Sequence, residues 1–578
     1  MHVSRLAVRN FRNLADIDLD LLPGTVVVGE NRAGKSNLLS ALRLVLDPSL
    51  SHTDLQLRRE DFWDGLSNGD PAYDPMVSGE KIEILVEFTG FDNDATLMTA
   101  LADGLIPGDP VRARLTYQFA PIDTGEDSPS GRLRYEGRIF GGEDEEQQVS
   151  RELRRYIYFQ FLHALRDVES DIKNWRKSPL RRLLEAAAQA VSEQDLDEVR
   201  AAMKEANDDL NALVEIKELA DSISSEVIDL VGSNQALDTE LAVAPDDPLR
   251  LIRGMRIFVD GDARRDLSSA SLGTLNVLYM ALLELGLRTR LADSEIAHVV
   301  LAIEEPEAHL HPHLQRLIFR RFLGMDTEEP GESKGPRNVL LTTQSPHIAS
   351  VADPRSLVVL RCTDGRSTAS AARTADLTDA QWDDIGRYLD ATRAELVFAR
   401  KVLLVEGFAE QVLIPKLAEA VGMDLDKLGI TVCSVHGTHF LSYARLCNAL
   451  GIPWSIVTDG DIINEKSRGQ TRAEKLVSNL GLTGIPEEHG IFVGGRTFEY
   501  DLLSVDDANR DTCVKVLRRY VPQASVSIID GWQGIMPPYD EYMKMIDKQG
   551  KKGRFAQRLS SRKVLPPDYV TAALEFLA

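Results

Sequence analysis

Apolar positions along the chain change period several times, and each change marks an element. His2–Val8 and Ala15–Leu21 read as two strands, and Val26–Val28 is a β-branched run that ends a third. Asn37–Leu46 (NLLSALRLVL) spaces its apolar residues as a helix does. After a polar, irregular region, Asp47–Ser78, three runs rich in β-branched and aromatic residues follow: Lys81–Thr89, Val111–Ala120 and Arg132–Phe140. They predict an antiparallel flank. From Pro179 to about Val231 the chain turns helical, with apolar stripes in LRRLLEAAAQAV and LDEVRAAMKEANDDLNALVEI. A strand, Val299–Ile303, and another, Asn338–Thr343, come next. The Ser-, Thr-, Ala- and Arg-rich stretch Thr363–Thr378 reads as a linker, and Asp383–Arg400 as helix. Lys401–Val405 and Trp454–Thr458 are then strands, with a helix, Phe408–Val421, after the first.

This alternation predicts an α/β protein, and 578 residues are too many for one core, so two or three domains are expected. A formal net charge of −24 argues against a chain coated in basic surface but leaves room for a local basic groove. The four cysteines (Cys362, Cys433, Cys447 and Cys513) have no C-x-x-C spacing and suit a reduced compartment. With no basic-then-apolar leader and no run of about 18 apolar residues, a cytoplasmic protein without a membrane span is expected.

The chemistry begins at Gly29-Glu30-Asn31-Arg32-Ala33-Gly34-Lys35-Ser36, which reads G-x-x-x-x-G-K-S between a strand and a helix. Backbone N–H groups of such a loop, and of the helix start at Asn37, cradle phosphates; Lys35 reaches the β- and γ-phosphates and Ser36 holds Mg²⁺. ATP is therefore the expected nucleotide. Val299–Ile303 ends in Glu304-Glu305, with Glu304 placed to hold Mg²⁺ through water and Glu305 to orient the attacking water. His309, His311 and His313 follow directly and read as a loop rather than as metal ligands.

Ser271-Leu272-Gly273 before an apolar helix, EEPE-x-x-LHP, and a strand ending T-x-S-P-H resemble the ABC-type ATPases of the SMC and RecF group, as does the opening R-N-F-R-N. That resemblance implies a head-to-head pair. Ser271 and Gly273 of one copy would cap the γ-phosphate held by Lys35 of another, and His347 would sense it.

A second constellation follows. Lys401–Val405 ends in Glu406-Gly407, Glu410 lies in the next helix, and Trp454–Thr458 ends in Asp459-Gly460-Asp461. Residues two apart on an extended chain point the same way, so Asp459 and Asp461 can share a site. Four carboxylates at the ends of two parallel strands repel one another unless divalent cations lie between them, and hard oxygens suit Mg²⁺ or Mn²⁺.

These residues resemble the TOPRIM domain. V-E-G-x-x-E with a later T-D-x-D, behind an ABC ATPase, resembles the OLD (overcoming lysogenization defect) family, which also holds the Gabija nuclease subunit. The resemblance implies an α/β chain with five parts. They are an ABC ATPase first part (1–174), a helical insertion for dimerisation (175–248), an ATPase second part (249–375), a linker (376–395) and a TOPRIM nuclease domain (396–578). The bland reading of the insertion, packing onto its own ATPase, stands beside the dimer reading. By the same resemblance, Glu499 is an added metal ligand. Lys552, before Gly553 in K-G-x-x-A, assists phosphodiester cleavage.

Lys548, Arg554, Arg558, Arg562 and Lys563 cluster near Lys552 and form the expected track for DNA phosphates. With the resemblance, which alone implies the defence role, the expected function is a nucleotide-regulated, divalent-metal-dependent DNA endonuclease or nickase in anti-phage defence. It would work as a homodimer or higher oligomer, with room for a helicase partner encoded elsewhere. A topoisomerase or primase and an ATP-driven DNA clamp are the alternatives. The first would need accessory regions not evident in the sequence, and an SMC-type clamp a far longer coiled coil.

Overall fold

The computed structural model describes residues 1–122, 133–149, 151–163, 168–174, 178–231, 247–259, 264–293, 295–324, 337–389, 394–463 and 466–578. The chain divides into two compact units. One holds residues 1–164, 297–307 and 311–578, the other residues 165–296 and 308–310.

The first unit opens with β1 (His2–Phe11), β2 (Leu14–Asp20), β3 (Gly24–Gly29) and the helix Lys35–Leu46. Then come β4 (Ile82–Thr89), β5 (Leu105–Ile106), β6 (Arg112–Ile122), β7 (Arg134–Gly141) and β8 (Ile157–Leu162). After the second unit's segment the chain returns as β9 (His298–Glu304), β10 (Arg337–Thr343), β11 (Leu357–Thr363) and β12 (Arg366–Ala371).

These strands make two sheets. One is antiparallel throughout, in the order β2-β1-β4-β6-β5, with β7 also on β6. It is the flank that the alternating runs predict. The other runs β12-β11-β3-β10-β9-β8 and is parallel except for the edge strand β12. Strand β3 lies between two parallel neighbours, so Val26, Val27 and Val28 are all buried, as a strand covered on both faces requires. Leu6, Val8, Leu38, Leu42, Ile84 and Leu115 share one core that fixes the helix Lys35–Leu46 against both sheets.

The stretch expected to be a linker is partly strand. Arg366–Ala371 pairs with β11 because its small polar residues find partners: Ser367 donates its N–H to the Asn13 carbonyl and its hydroxyl to the Ala33 carbonyl. The helix expected over 383–400 instead covers Asp379–Tyr388, started by a Thr378–Gln381 capping box. Residues 390–393 lie outside the described residues, and Glu395–Phe398 is a 3₁₀ turn.

A third sheet in the same unit is built from β13 (Lys401–Val405), β14 (Ile430–Ser434), β15 (Trp454–Thr458) and, beyond the short hairpin β16 (Ile462–Ile463)–β17 (Lys466–Ser467), β18 (Ile491–Val493). Its order is β14-β13-β15-β18, all parallel. The chain leaves β13 to one side and returns on the other, which opens a crevice at the C-terminal ends of β13 and β15. Leu403, Val405, Leu413, Leu517, Tyr542 and Phe555 belong to the core that ties the C-terminal helices to this sheet.

The second unit is helical: Val168–Lys173, Pro179–Ala190, Glu193–Asn211, Val214–Val231, Pro248–Arg253 and Leu272–Ala292. Glu193–Asn211 buries none of its residues, and Leu210, Leu213, Val214, Leu219, Ile223 and Ile228 are exposed along this pair of long helices. Among the described residues no helix is long and apolar enough to cross a membrane.

Candidate active sites

The nucleotide site grows from the end of β3. Gly34 takes φ 99°, and a Cβ there would stand 2.9 Å from Asn13 Oδ1, so only glycine fits between the loop and the β1–β2 turn. Asn13 in turn donates to the Arg32 carbonyl (3.0 Å) and accepts from Asn37 Nδ2 (2.7 Å). Arg12 reaches both Asn37 Oδ1 and Asp61, at 3.0 Å each. The R-N-F-R-N segment is therefore a brace for the P-loop. No side chain caps the N-terminus of the helix Lys35–Leu46 among the described residues, which suits a phosphate ligand.

Lys35 is 5% exposed; its ammonium donates to the Gly29 and Glu30 carbonyls (2.9 and 3.2 Å) and pairs with Glu305 at 3.3 Å. Ser36 is exposed in the first turn of the helix. Glu304 ends β9 and lies 3.8 Å from His163. Gln344, after β10, donates to both Asn31 Oδ1 (2.8 Å) and Glu305 Oε1 (2.6 Å). It is held there by Glu307, which accepts from the Gln344 N–H (2.6 Å) and the Thr343 hydroxyl (2.9 Å). Burial raises the Glu307 carboxyl above its ordinary value.

Gly29, Asn31, Gly34, Lys35, Ser36 and Asn37 thus lie in one strand-loop-helix junction, which Glu305 reaches through Lys35 and Gln344, while Glu304 ends β9 on the far side of β10. His347 starts a short helix beyond β10, its Nδ1 buried without a hydrogen-bond partner among the described residues. Ser271 and Gly273 belong to the second unit. Ser271 caps the helix Leu272–Ala292, and a Cβ on Gly273 would meet the His309 carbonyl at 2.6 Å. His311 caps the helix Pro312–Phe322, which accounts for it without a metal.

The acidic site lies at the C-terminal ends of β13 and β15. Glu406 Oε1 accepts from the Asp459 N–H (2.9 Å), the Thr458 hydroxyl and Arg472 Nη1 (2.6 Å). Asp459 is 6% exposed; one oxygen accepts from the Phe498 N–H (2.8 Å) and the other lies 3.6 Å from Lys552. Gly460 is required between the two aspartates, since a Cβ would stand 2.3 Å from the Gly494 carbonyl. Asp461 takes φ 44° and pairs with Arg472 at 2.7 Å. Glu410, in the first turn of Phe408–Ala420, is buried, and Glu499 is 1% exposed with Lys552 at 3.0 Å.

Burial, reinforced by Glu499, pushes the Glu410 carboxyl up to about 7. Burial pushes Asp459 up to about 8, with Lys552 opposing and the neighbouring acids adding to the rise. Burial pulls the Lys552 ammonium down, but Glu499 and Asp459 outweigh it and hold it above the ordinary lysine value. Apart from the Lys552 ammonium, 3.0 Å from Oε2, no hydrogen-bond donor meets the Glu499 carboxylate among the described residues. Buried oxygens short of donors, in a set made of hard carboxylates, fit a divalent cation. As they stand, no three His, Cys, Asp or Glu side chains among the described residues are gathered into a metal cluster. Arg472 and Lys552 lie between them.

Of the expected basic track, Lys548, Arg554, Arg562 and Lys563 are exposed, while Arg558 is half-buried. Lys548 stays exposed as it donates to Ser525 (3.1 Å), while Arg558 stacks on Tyr520 (3.9 Å) and donates to the Gln549 carbonyl (2.8 Å). Sequence reasoning missed Arg472, Gln344 and Asn13. The signal for Arg472 was a Gly469-x-x-Arg472 helix start shortly after the D-x-D.

Two family models match this chain. "AAA domain, putative AbiEii toxin, Type IV TA system" covers residues 25–350, and "Overcoming lysogenization defect protein-like, TOPRIM domain" covers residues 397–461. The chain belongs to the OLD family. It joins an ABC-type P-loop ATPase to a C-terminal TOPRIM domain. It is 26% identical over 499 residues to the OLD nuclease of Thermus scotoductus, covering 82% of this chain and 86% of that one. It is 22% identical to Endonuclease GajA of Bacillus cereus, covering 81% and 76%. The solved C-terminal region of the Burkholderia pseudomallei OLD protein is 33% identical, covering 31% of this chain and 97% of that one, with a TM-score of 0.29.

Proposed function

We propose that this OLD-family chain is a nucleotide-regulated, divalent-metal-dependent DNA endonuclease or nickase that serves in defence against phage. The observation that carries this reading is the convergence of Glu406, Glu410, Asp459, Asp461 and Glu499 with Lys552 at one crevice, in a chain whose P-loop is intact. The names of the relatives, OLD nuclease and Endonuclease GajA, support it.

Glu406, Glu410, Asp459, Asp461 and Glu499 would hold Mg²⁺ or Mn²⁺. When bound, such ions activate water for in-line attack and stabilise the leaving 3′ oxygen of a phosphodiester. Lys552, in the first turn of Lys551–Leu559, offsets charge on the scissile phosphate. Gly553 allows that helix its close approach to Phe408, 2.9 Å from where a Cβ would lie. Arg554, Arg562 and Lys563 guide the DNA backbone.

At the other site, backbone N–H groups of residues 29–37 bind the ATP phosphates and Lys35 leaves the loop carbonyls for them. Ser36 and Glu304 hold the associated Mg²⁺, and Glu305, oriented by Gln344, positions water. Ser271 and Gly273 of a second copy close the site, and His347 reads the γ-phosphate. The exposed apolar residues of the helical insertion, about 175–248, supply the dimer contact.

The test is cleavage of supercoiled and linear DNA with Mg²⁺ or Mn²⁺, with and without ATP. Wild type cuts, Asp459→Ala does not, and Lys35→Ala cuts without responding to ATP. A wild type that leaves all DNA intact while hydrolysing ATP would overturn the nuclease reading.

A further inference from the structure

Arg472 occupies the position between two acids of the TOPRIM site. Its Nη1 donates to Glu406 Oε1 (2.6 Å) and the Thr458 hydroxyl (2.9 Å), and its Nη2 donates to Asp461 Oδ2 (2.7 Å). The side chain is only 17% exposed, so these bonds form largely out of water, where charge-assisted contacts are strong.

The guanidinium is also placed by the backbone. Ser467, the N-cap of Arg468–Asn479, donates its hydroxyl to the Gly460 carbonyl (2.8 Å), and the Gly469 N–H donates to that same carbonyl (3.0 Å). The helix seats so closely that a Cβ on Gly469 would stand 2.1 Å from the Asp459 carbonyl. One turn on, Arg472 has little choice but to enter the crevice. The site therefore carries two resident cations. Lys552 serves Glu499 and Asp459, and Arg472 serves Glu406 and Asp461.

We propose that Arg472 is an internal counter-cation that a divalent ion must outcompete for Glu406 and Asp461, so that it sets the metal concentration at which the site loads. A guanidinium and a divalent cation seek the same carboxylate oxygens. Arg472 is thus a positioning residue: it keeps the acids from repelling one another when no metal is bound, and it lowers metal affinity for the same reason. The proposal rests on the metal-dependent reading above.

The experiment measures Mn²⁺ binding to the full chain, without DNA or nucleotide, by the electron-spin signal of free Mn²⁺. Arg472→Gln removes the charge, and Arg472→Lys keeps it. Rates of ATP hydrolysis report that each variant is folded. Arg472→Gln is expected to bind Mn²⁺ roughly tenfold tighter than wild type, with Arg472→Lys within about threefold of it. Half-maximal DNA cleavage by Arg472→Gln would then need correspondingly less Mn²⁺. Equal or weaker Mn²⁺ binding by Arg472→Gln would overturn the proposal. Wild-type binding that Asp459→Ala leaves unchanged would instead overturn the metal site itself, so the two failures are distinguishable.

Discussion

At the scale of single residues, the two lysines do comparable work in different surroundings. Each is a cation held among oxygens: Lys35 by two loop carbonyls and Glu305, Lys552 by Glu499 and Asp459. Because Glu305 both pairs with Lys35 and is aimed by Gln344, removing its charge separates binding from hydrolysis. Glu305→Gln is expected to bind a fluorescent ATP analogue within about threefold of wild type while phosphate release falls roughly a hundredfold, the scale of a lost general base. Phosphate release at the wild-type rate would remove Glu305 from the mechanism. His298 at the start of β9 gives a separate prediction about stability. It is fully buried against Asn338 at 2.7 Å, and burial pulls its pKa from 6.5 to about 4. Above pH 6.5 the ring is neutral in both folded and unfolded chains, and its effect is nil. Between pH 6.5 and 4 only the unfolded chain takes up the proton, so folding weakens as pH falls, by up to about 3 kcal/mol. Urea unfolding across that window should show a slope that His298→Gln flattens; an unchanged slope would mean that His298 titrates alike in both states.

At the scale of elements, the acidic site depends on how the helix Arg468–Asn479 seats on the D-x-D turn. Gly469→Ala should push it off the Asp459 carbonyl, and overpacking of this kind costs about 1–3 kcal/mol. DNA cleavage should fall at least tenfold as the clash displaces the Asp459-Gly460-Asp461 turn and its carboxylates, while ATP hydrolysis persists; loss of both activities together would mean global unfolding instead. The same helix shows what a sequence reveals and what it hides. The strand-loop-helix at Gly29–Leu46, the acids after β9 and the D-x-D after β15 are local signals, because their chemistry needs fixed spacing along one chain. Gln344 acts on Asn31, 313 positions away, and Asn13 reaches the P-loop from the β1–β2 turn, so no local spacing announces either; Arg472 had only the faint signal of a helix start soon after the D-x-D. Strand β12 was hidden for a related reason. Ser367 looks like linker until the P-loop carbonyl of Ala33 accepts its hydroxyl proton. Within the basic track, charge alone does not distinguish an exposed Arg554 from an Arg558 stacked on Tyr520.

At the scale of the molecule, nucleotide control needs a physical connection between P-loop and acidic crevice, and the first unit contains one. Glu30, inside the P-loop, accepts two bonds from Arg400, at 2.5 and 2.8 Å. Arg400 directly precedes β13, the strand that ends at Glu406. Beside it, Arg361 on β11 donates to the Ala399 carbonyl at 2.7 Å, so three hydrogen bonds tie the ATPase part to the residues just before the TOPRIM strand. The Glu30–Arg400 pair is well exposed, which makes it a weak contributor to stability. Under the proposed nucleotide control its value would lie in coupling: phosphate bound on the loop would alter the field at Glu30, and Arg400 would carry that change to β13. Coupling between sites is a difference in free energy between their states, and it disappears when the shared element is cut. Arg400→Glu should therefore leave the melting temperature and nucleotide-free cleavage near wild type while the effect of ATP on cleavage shrinks several-fold. Exchanging the charges, Glu30→Arg with Arg400→Glu, should restore part of that effect. An Arg400→Glu chain whose cleavage responds to ATP as wild type does would exclude this pair as the route. The Arg361 contact and the second unit would then be the places to cut next.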